Sequence, residues 1–130
     1  FRVTCAAPIT PREGEGWMTL FLNTDRRQDT GWEGDDLVIN RLPAPAGRAT
    51  VEAYRRTAEP GSFTWQSIGR AVLHVSGNSL TLALPRSFMP AGKLNFEFKW
   101  SDHMQQPTVM DFYENGSAAP IGRFNFLYRE

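Results

Sequence analysis

Apolar and polar residues alternate with a period of two along most of this chain. The alternation recurs in five stretches, residues 50–54, 71–75, 79–84, 94–100 and 124–128. Successive side chains of a β-strand point to opposite faces, so each stretch predicts a strand that buries one face. A sustained apolar stripe at helical spacing is missing, and only residues 85–89 are predicted to form a short helical turn, with Pro85 at a tolerated first position. The chain is therefore expected to fold almost entirely from β-strands.

Clusters of turn-forming residues separate the predicted strands. They lie at residues 8–16, 42–47 and 59–61. Ser76-Gly77-Asn78 is predicted to form a hairpin turn. About nine or ten short strands at this spacing are typical of an antiparallel β-sandwich, here of jelly-roll-like type. A length of 130 residues suits one domain, so residues 1–130 are expected to form a single module. Because the chain begins at Phe1 and not at Met, we expect this module to belong to a larger protein.

The charge balance and the cysteine content exclude several classes of function. The chain has 14 basic and 14 acidic residues and a formal net charge of zero, so it has no general attraction for nucleic acid or for an anionic membrane. No apolar run approaches the ~18 residues of a membrane span. Cys5 is the single cysteine, which rules out an internal disulfide and a multi-cysteine zinc site. We expect Cys5 to be a small, buried apolar group in the first strand.

Residues 22–41 connect two predicted strands and contain a group of closely spaced carboxylates. They belong to Asp25, Asp29, Glu33, Asp35 and Asp36. Calcium binds about six to eight hard oxygen atoms, and Asn23, Asp25 and Asp36 are candidates to supply some of them. The alternative is a metal-free turn, in which Asp25 accepts backbone hydrogen bonds and neighbouring arginines screen the charge. In either case the loss of Asp25 is expected to lower stability.

The tryptophans are candidates for the flat apolar surface on which a sugar ring stacks. Trp32 lies at the tip of the polar loop and is the first candidate, while Trp65, in a polar context after a turn, is the second. Trp17 and Trp100 lie in alternating apolar runs and are expected in the core. As a stacking platform, Trp32 is expected to contribute to binding and little to stability. The alternative is a Trp32 ring that folds back over one end of the sandwich.

Several segments in both halves of the chain resemble one group of bacterial β-sandwich modules. In the first half they are Pro8-Ile9-Thr10-Pro11, residues 17–25, Thr30-Gly31-Trp32-Glu33-Gly34 and Val38-Ile39-Asn40-Arg41. In the second half they are residues 96–102, residues 110–116, Ala119-Pro120 and Gly122-Arg123-Phe124-Asn125. Together these segments, which cover most of the chain, resemble the family 9 carbohydrate-binding modules and the wider DOMON-like superfamily.

The resemblance implies a non-catalytic accessory module that holds a parent enzyme on a polysaccharide. The implied partners are a polysaccharide or oligosaccharide and the catalytic domain of a secreted or periplasmic bacterial protein. The two candidate tryptophans would stack on the sugar, and other side chains would bond its hydroxyl groups. These polar candidates are Asp36, Asn40, Arg41 and Asp102. Members of the group often carry a second acidic residue or Asn two residues before the loop Asp; here that residue is Asn23, so a calcium site would carry less charge.

Two other functions fit the same sequence. One is a structural β-sandwich domain that packs on a catalytic partner without a ligand of its own. It requires buried Trp32 and Trp65 and an apolar patch on the isolated domain. The other is a small glycan-active enzyme, which needs Asp102 and Asp111 in one cleft at a working separation. An Asp111 that lies in a strand is more typical of a carboxylate bonded to the backbone or to Arg123.

Overall fold

The fold is almost entirely β-structure. The computed structural model describes residues 1–105, 108–114 and 117–130. Within these residues the chain forms nine strands. They are β1 (Arg2–Thr4), β2 (Thr19–Asn23), β3 (Leu37–Ile39), β4 (Arg48–Arg56), β5 (Phe63–Ser76), β6 (Ser79–Ala83), β7 (Asn95–Asp102), β8 (Ser117–Ala119) and β9 (Phe126–Arg129). The helical elements of the described chain are a 3-10 helix at Arg86–Phe88 and a short helix, α1, at Asp111–Glu114.

The strands of the described chain belong to one continuous antiparallel sheet. Their order is β1-β6-β5-β4-β3-β2-β7-β8, and β9 pairs with the other half of β7. The sheet curls, so strands from opposite ends of this order face each other across the interior. Phe1, next to β1, packs on Phe96 and Phe98 of β7 with ring centroids 5.6 Å apart in both pairs. The prediction of an antiparallel all-β fold is confirmed, and one curled sheet supplies its facing layers.

The inner face of the curled sheet holds the main hydrophobic core. Leu20 of β2 and Ile39 of β3 are fully buried there. The other buried members are Trp17, Met18, Leu22, Leu37, Ala49, Val51, Ala53, Ala71, Leu80, Leu82, Phe96 and Trp100. Most of them occupy alternate positions of their strands, so the period-two pattern accounts for this core. The core positions expected for Trp17 and Trp100 are confirmed, and Cys5 is partly buried against the same core.

A second cluster covers the outer face of β2 and β3. Phe21 and Val38 point away from the main core, yet they are only 4% and 0% exposed. They pack with Trp32, from the loop after β2, and with Phe112 of α1. The central strands are therefore buried on both faces, and the loop together with described residues after β7, among them Phe112 of α1, forms a second layer over the sheet. We call Phe21, Trp32, Val38 and Phe112 the outer cluster.

Two local predictions are confirmed. Ser76 of β5 pairs with Ser79 of β6, which leaves Gly77 and Asn78 as a two-residue hairpin turn. Gly77 has a φ of 59°, a conformation that a residue without a Cβ atom adopts at little steric cost. The helical turn expected at residues 85–89 is the 3-10 helix, with Pro85 directly before it.

The chain after β7 departs from the sequence-based expectation. Asp111 is predicted to lie in or beside a strand, but it begins α1. Its carboxylate accepts a hydrogen bond from the backbone N–H of Gln105 at 2.6 Å, as the structural alternative requires. The last strand begins at Phe126 and forms part of a sheet edge, while Phe124, predicted to belong to it, precedes it and is 77% exposed.

Candidate functional site

A cleft on the outer face brings aromatic and charged side chains together. Its volume is about 190 Å³. The residues that line it are Glu15, Gly16, Thr19, Phe21, Trp32, Arg41, Trp65, Met104 and Gln105. These residues come from β2, from β5, from the loops on both sides of β3 and from segments before β2 and after β7. Only the folded chain assembles them, and we call this site the outer cleft.

Trp32 contributes to the lining of the outer cleft and is folded back onto the sheet. Its backbone N–H and C=O pair with those of Asp35 at 2.8 Å, in a tight turn that returns the ring to β2. Gly31 permits this turn, because its φ is +66° and a Cβ atom there would lie 2.1 Å from the carbonyl oxygen of Asp35. The centroid of the Trp32 ring lies 5.5 Å from that of Phe21 and 6.0 Å from that of Phe112.

The burial of Trp32 distinguishes its two interpretations, an exposed stacking platform and a ring that folds back over the sandwich. Trp32 is 9% exposed, so a free platform at the loop tip is wrong, and the ring instead covers the sheet. We therefore expect Trp32 to contribute to stability after all, since removal of a buried tryptophan costs about 3–5 kcal/mol. Because Trp32 also lines the outer cleft, part of its ring is still within reach of a ligand.

Trp65 lines the outer cleft from β5. It is partly buried, and its ring packs edge-on against Tyr54 and Phe63 with centroids 6.0 Å apart in each pair. Tyr54 is also its partner in the β4–β5 ladder, so cross-strand packing holds the ring in position. Trp65 therefore combines a supported ring with an accessible part, as a stacking residue requires.

Arg41 is the basic residue of the outer cleft, and carboxylates already balance its charge. Its Nε and Nη2 atoms donate to the two carboxylate oxygens of Glu52 at 3.0 and 2.6 Å, and a carboxylate oxygen of Glu15 lies 3.8 Å from Nη1. Glu52 is 2% exposed, which holds this bidentate pair in one geometry. Thr19 also lines the cleft, and its buried hydroxyl has no partner among the described residues. The cleft thus offers hydrogen-bonding groups with little net charge.

Asp36 and Asn40, two other residues predicted to bind the sugar, form hydrogen bonds within the protein instead. The carboxylate of Asp36 accepts hydrogen bonds from the N–H and the hydroxyl of Thr24, both at 2.7 Å. Asn40 is fully buried and donates to the backbone carbonyl oxygens of residues 17 and 18 at 3.0 and 3.1 Å. Neither side chain lines the outer cleft. The predicted residues that the structure does bring together there are Trp32, Trp65 and Arg41.

Asp102, the remaining residue predicted to bind the sugar, also forms a hydrogen bond with the backbone. It accepts a hydrogen bond from the N–H of Met18 at 2.9 Å, and its other carboxylate oxygen lies 2.9 Å from Nδ1 of His103. Asp111, its proposed partner in hydrolysis, accepts a hydrogen bond from a backbone N–H after β7. Both carboxylates accept hydrogen bonds from backbone N–H groups, which favours a structural role for them over a catalytic one.

Hydrogen bonds within the acidic loop hold it in place. The carboxylate of Asp25 accepts from the N–H of Arg27 at 2.8 Å and from the hydroxyl of Thr30 at 3.0 and 3.1 Å. The guanidinium group of Arg27 pairs with Asp29 at 2.7 Å. These contacts correspond to the metal-free turn, in which Asp25 accepts a backbone N–H and a neighbouring arginine screens the charge.

The oxygen atoms considered for calcium are partly committed to these bonds. Asp25 and Asp36 accept hydrogen bonds, and Asn23 donates through Nδ2 to the carbonyl oxygen of Arg27 at 3.1 Å. The Oδ1 atom of Asn23 is buried without a partner among the described residues. Across all the residues that the structure describes, no group of three or more His, Cys, Asp or Glu side chains is placed to hold a metal. Calcium at Asn23, Asp25 and Asp36 stays a prediction.

Sequence reasoning misses a buried lysine and a buried aspartate. Lys99 of β7 is 2% exposed, and Asp35, in the turn of Trp32, is 4% exposed. Lys99 occupies a polar position of an alternating strand, a pattern that predicts a solvent-facing side chain. The signal that could have found it lies in Phe21 and Val38, since apolar residues at outward positions of two adjacent strands imply that the outer face is covered.

Burial changes the proton affinity of both groups. Desolvation raises the pKa of Asp35 to about 8; Asp36, Glu97 and Glu33 add repulsion, while Lys99 opposes the rise. Desolvation also lowers the pKa of Lys99 to about 8, against the attraction of Asp35. At neutral pH Asp35 is therefore mostly protonated and Lys99 mostly charged.

Comparisons with known proteins found no match to this chain. Protein-family models, curated proteins and solved structures were all compared. No helix among the described residues is long and apolar enough to cross a membrane. The resemblance to family 9 carbohydrate-binding modules therefore stays a prediction from the sequence.

Trp32→Ala is expected to lower the free energy of unfolding by about 3–5 kcal/mol, because it removes a ring that packs against both Phe21 and Phe112. Urea unfolding measures this change. Phe124→Ala is the matched control, since Phe124 is 77% exposed and its loss is expected to change stability by less than about 0.5 kcal/mol. A loss below about 1 kcal/mol for Trp32→Ala would contradict the role of the ring as an anchor of the loop.

Asp35→Asn is expected to remove a pH dependence of stability. The folded protein keeps the Asp35 proton up to a pKa of about 8, whereas the unfolded chain loses it near pH ~4. Between these values the folded state binds more protons, so wild-type stability falls as the pH rises. Urea unfolding at about pH 5.5 and about pH 7.5 would show a larger loss for the wild type than for Asp35→Asn. Equal losses would show that Asp35 ionises normally in the folded state.

Proposed function

We propose that this domain is a carbohydrate-binding module that holds a parent enzyme on a polysaccharide. The observation that carries the proposal is the outer cleft, where Trp32, Trp65 and Arg41 line one cavity. A sugar presents apolar C–H faces between hydroxyl groups. Sites with aromatic walls and a few fixed polar groups suit such ligands.

The lining of the outer cleft suggests how a sugar binds. Trp65 is the least buried aromatic residue of the lining, and the more deeply buried Phe21 and Trp32 form apolar surface there as well. Thr19 and Arg41 supply polar groups for hydroxyl contacts. Because the guanidinium group is already balanced by carboxylates, the cleft suits an uncharged sugar better than a carboxylated or sulfated one, which would need an unpaired cation.

The biological setting of the proposal follows from the resemblance. The domain would lie beside a catalytic domain in a secreted or periplasmic bacterial protein and increase the local concentration of that enzyme at its substrate. Calcium at Asn23, Asp25 and Asp36 would act on the acidic loop, because none of these residues lines the outer cleft.

Trp65→Ala tests the outer cleft more cleanly than Trp32→Ala, because Trp65 is only partly buried. A broad glycan screen of the wild type identifies a ligand, and calorimetry then compares the variants. We expect Trp65→Ala to weaken binding at least about tenfold, equivalent to about 1.4 kcal/mol. Phe124→Ala, an exposed aromatic residue outside the cleft lining, is the matched control and should bind like the wild type. A folded wild type that binds no glycan, or equal affinities for both variants, would contradict the proposal.

A structural domain that packs on a catalytic partner is the second candidate function, and a different observation favours it. This function requires buried Trp32 and Trp65 and an apolar patch on the isolated domain; Trp32 is buried, whereas Trp65 is only partly buried. Large apolar side chains near the end of the chain are 43–77% exposed. They are Ile121, Phe124, Phe126, Leu127 and Tyr128.

Hydroxyl-radical footprinting of the parent protein separates the second function from the first. Packing on a partner would protect Phe124 and Tyr128 in the parent relative to the isolated domain, because these side chains would leave water. Trp65 labelling serves as the internal control for general accessibility. Equal labelling of Phe124 and Tyr128 in the two proteins would exclude this packing surface.

A further inference from the structure

Lys99 is an enclosed lysine on the outer face of β7, and neither candidate function uses it. Its ammonium group donates to the backbone carbonyl oxygens of Pro120, Gly122 and Phe124, the first two at 2.7 Å. An ammonium group has three N–H donors, so these contacts use all of them. Among the described residues Lys99 forms no salt bridge. Its charge is therefore stabilised chiefly by carbonyl dipoles.

The three carbonyl groups belong to alternate residues of one short segment. We call residues 117–125, which contain β8 and the turn that follows it, the strap. Three carbonyl oxygens that converge on one point carry partial charges of the same sign and need a shared donor. Lys99 supplies that donor from the neighbouring strand, so it ties the strap to the sheet at a point where β8 has ended.

The same ammonium group also contacts the outer cluster. Nζ of Lys99 lies 5.1 Å from the centroid of the Phe112 ring, within the range of a cation–π contact. Phe112 in turn packs edge-on against Phe21 at 5.6 Å and against Trp32 at 6.0 Å. One cation therefore contacts both the strap and the aromatic group that supports the outer cleft.

We propose that Lys99 is an internal cation clip, whose ammonium group fastens the strap over the outer face and keeps Phe112 packed against Trp32. The clip takes the place that a bound cation would have among the three carbonyl oxygens. It is a property of the fold, needs no ligand and does not rest on the proposed function.

Lys99→Met is the first test, because it keeps an apolar side chain of similar length and removes the donors. We expect the urea midpoint to fall by about 1 M or more and the near-ultraviolet circular dichroism of the tryptophans to change. Lys93→Met, at an exposed lysine, is the matched control with the same change of charge and should leave both signals unchanged. A Lys99→Met protein with the wild-type midpoint and spectrum would overturn the clip.

Chemical rescue tests the cradle of carbonyl oxygens directly. Lys99→Ala lacks three methylene groups and the ammonium group, which together correspond to n-propylammonium. We expect n-propylammonium chloride to raise the urea midpoint of Lys99→Ala above that in the same concentration of sodium chloride, and to have no such effect on Lys99→Met, whose side chain fills the space. Equal responses of the two variants would overturn the proposal.

The wild-type protein provides a test that does not depend on the folding of any variant. Acetylation at neutral pH, followed by mass spectrometry, compares Lys99 with the exposed Lys93. The lowered pKa of Lys99 would by itself speed acetylation, because the neutral amine is the form that reacts. The clip holds the group away from the reagent, so we expect Lys99 nevertheless to react at least about a hundredfold more slowly. Equal rates at the two lysines would overturn the proposal whatever glycan the domain binds.

Discussion

Burial of β2 and β3 on both faces is the constraint on which the rest of this structure depends. Leu20 and Ile39 face the main core, while Phe21 and Val38 face the other way and are nearly as well buried. Each large apolar side chain contributes about 1.5–3 kcal/mol when it leaves water. A single curled sheet could not provide that burial, so Trp32 of the acidic loop and Phe112 of α1 cover the outer face.

This second layer explains both the outer cleft and the buried charges. It consists of a loop, one short helix and the strap, and the outer cleft lies between parts of it and the sheet. It also encloses side chains at polar positions of the strands, such as Glu52 and Lys99, and buried charges destabilise a fold unless they have partners. Arg41 forms a bidentate ion pair with Glu52, and the carbonyl oxygens of the strap accept hydrogen bonds from Lys99. The cleft and the clip therefore have one structural cause.

The limits of sequence reasoning follow from the same layer. The period-two pattern predicted the antiparallel all-β fold and the core position of Trp100, because both depend on alternation within a strand. Trp17 is also in the core as predicted, but it lies just before β2. The pattern could not show that the outer face is covered, so it predicted a solvent-facing Lys99, left the position of Trp32 open between a platform and a folded-back ring, and placed Asp111 in or beside a strand. Half of the predicted ligand residues gather in the outer cleft, while the others bond to nearby main-chain groups. Short polar side chains beside turns commonly take that second role, and their sequence positions do not distinguish the two.

Resonances of the tryptophan side chains give the most direct test of the outer cleft as a glycan site. Each of the four tryptophans has one indole N–H that nuclear magnetic resonance can follow during titration with a glycan found by screening. Trp17 and Trp100 lie in the main core, and Trp32 and Trp65 line the outer cleft. We expect the Trp32 and Trp65 signals to shift together with one affinity while the core pair stays in place. Shifts confined to other parts of the domain, with Trp32 and Trp65 unchanged, would contradict the assignment of the outer cleft as the binding site.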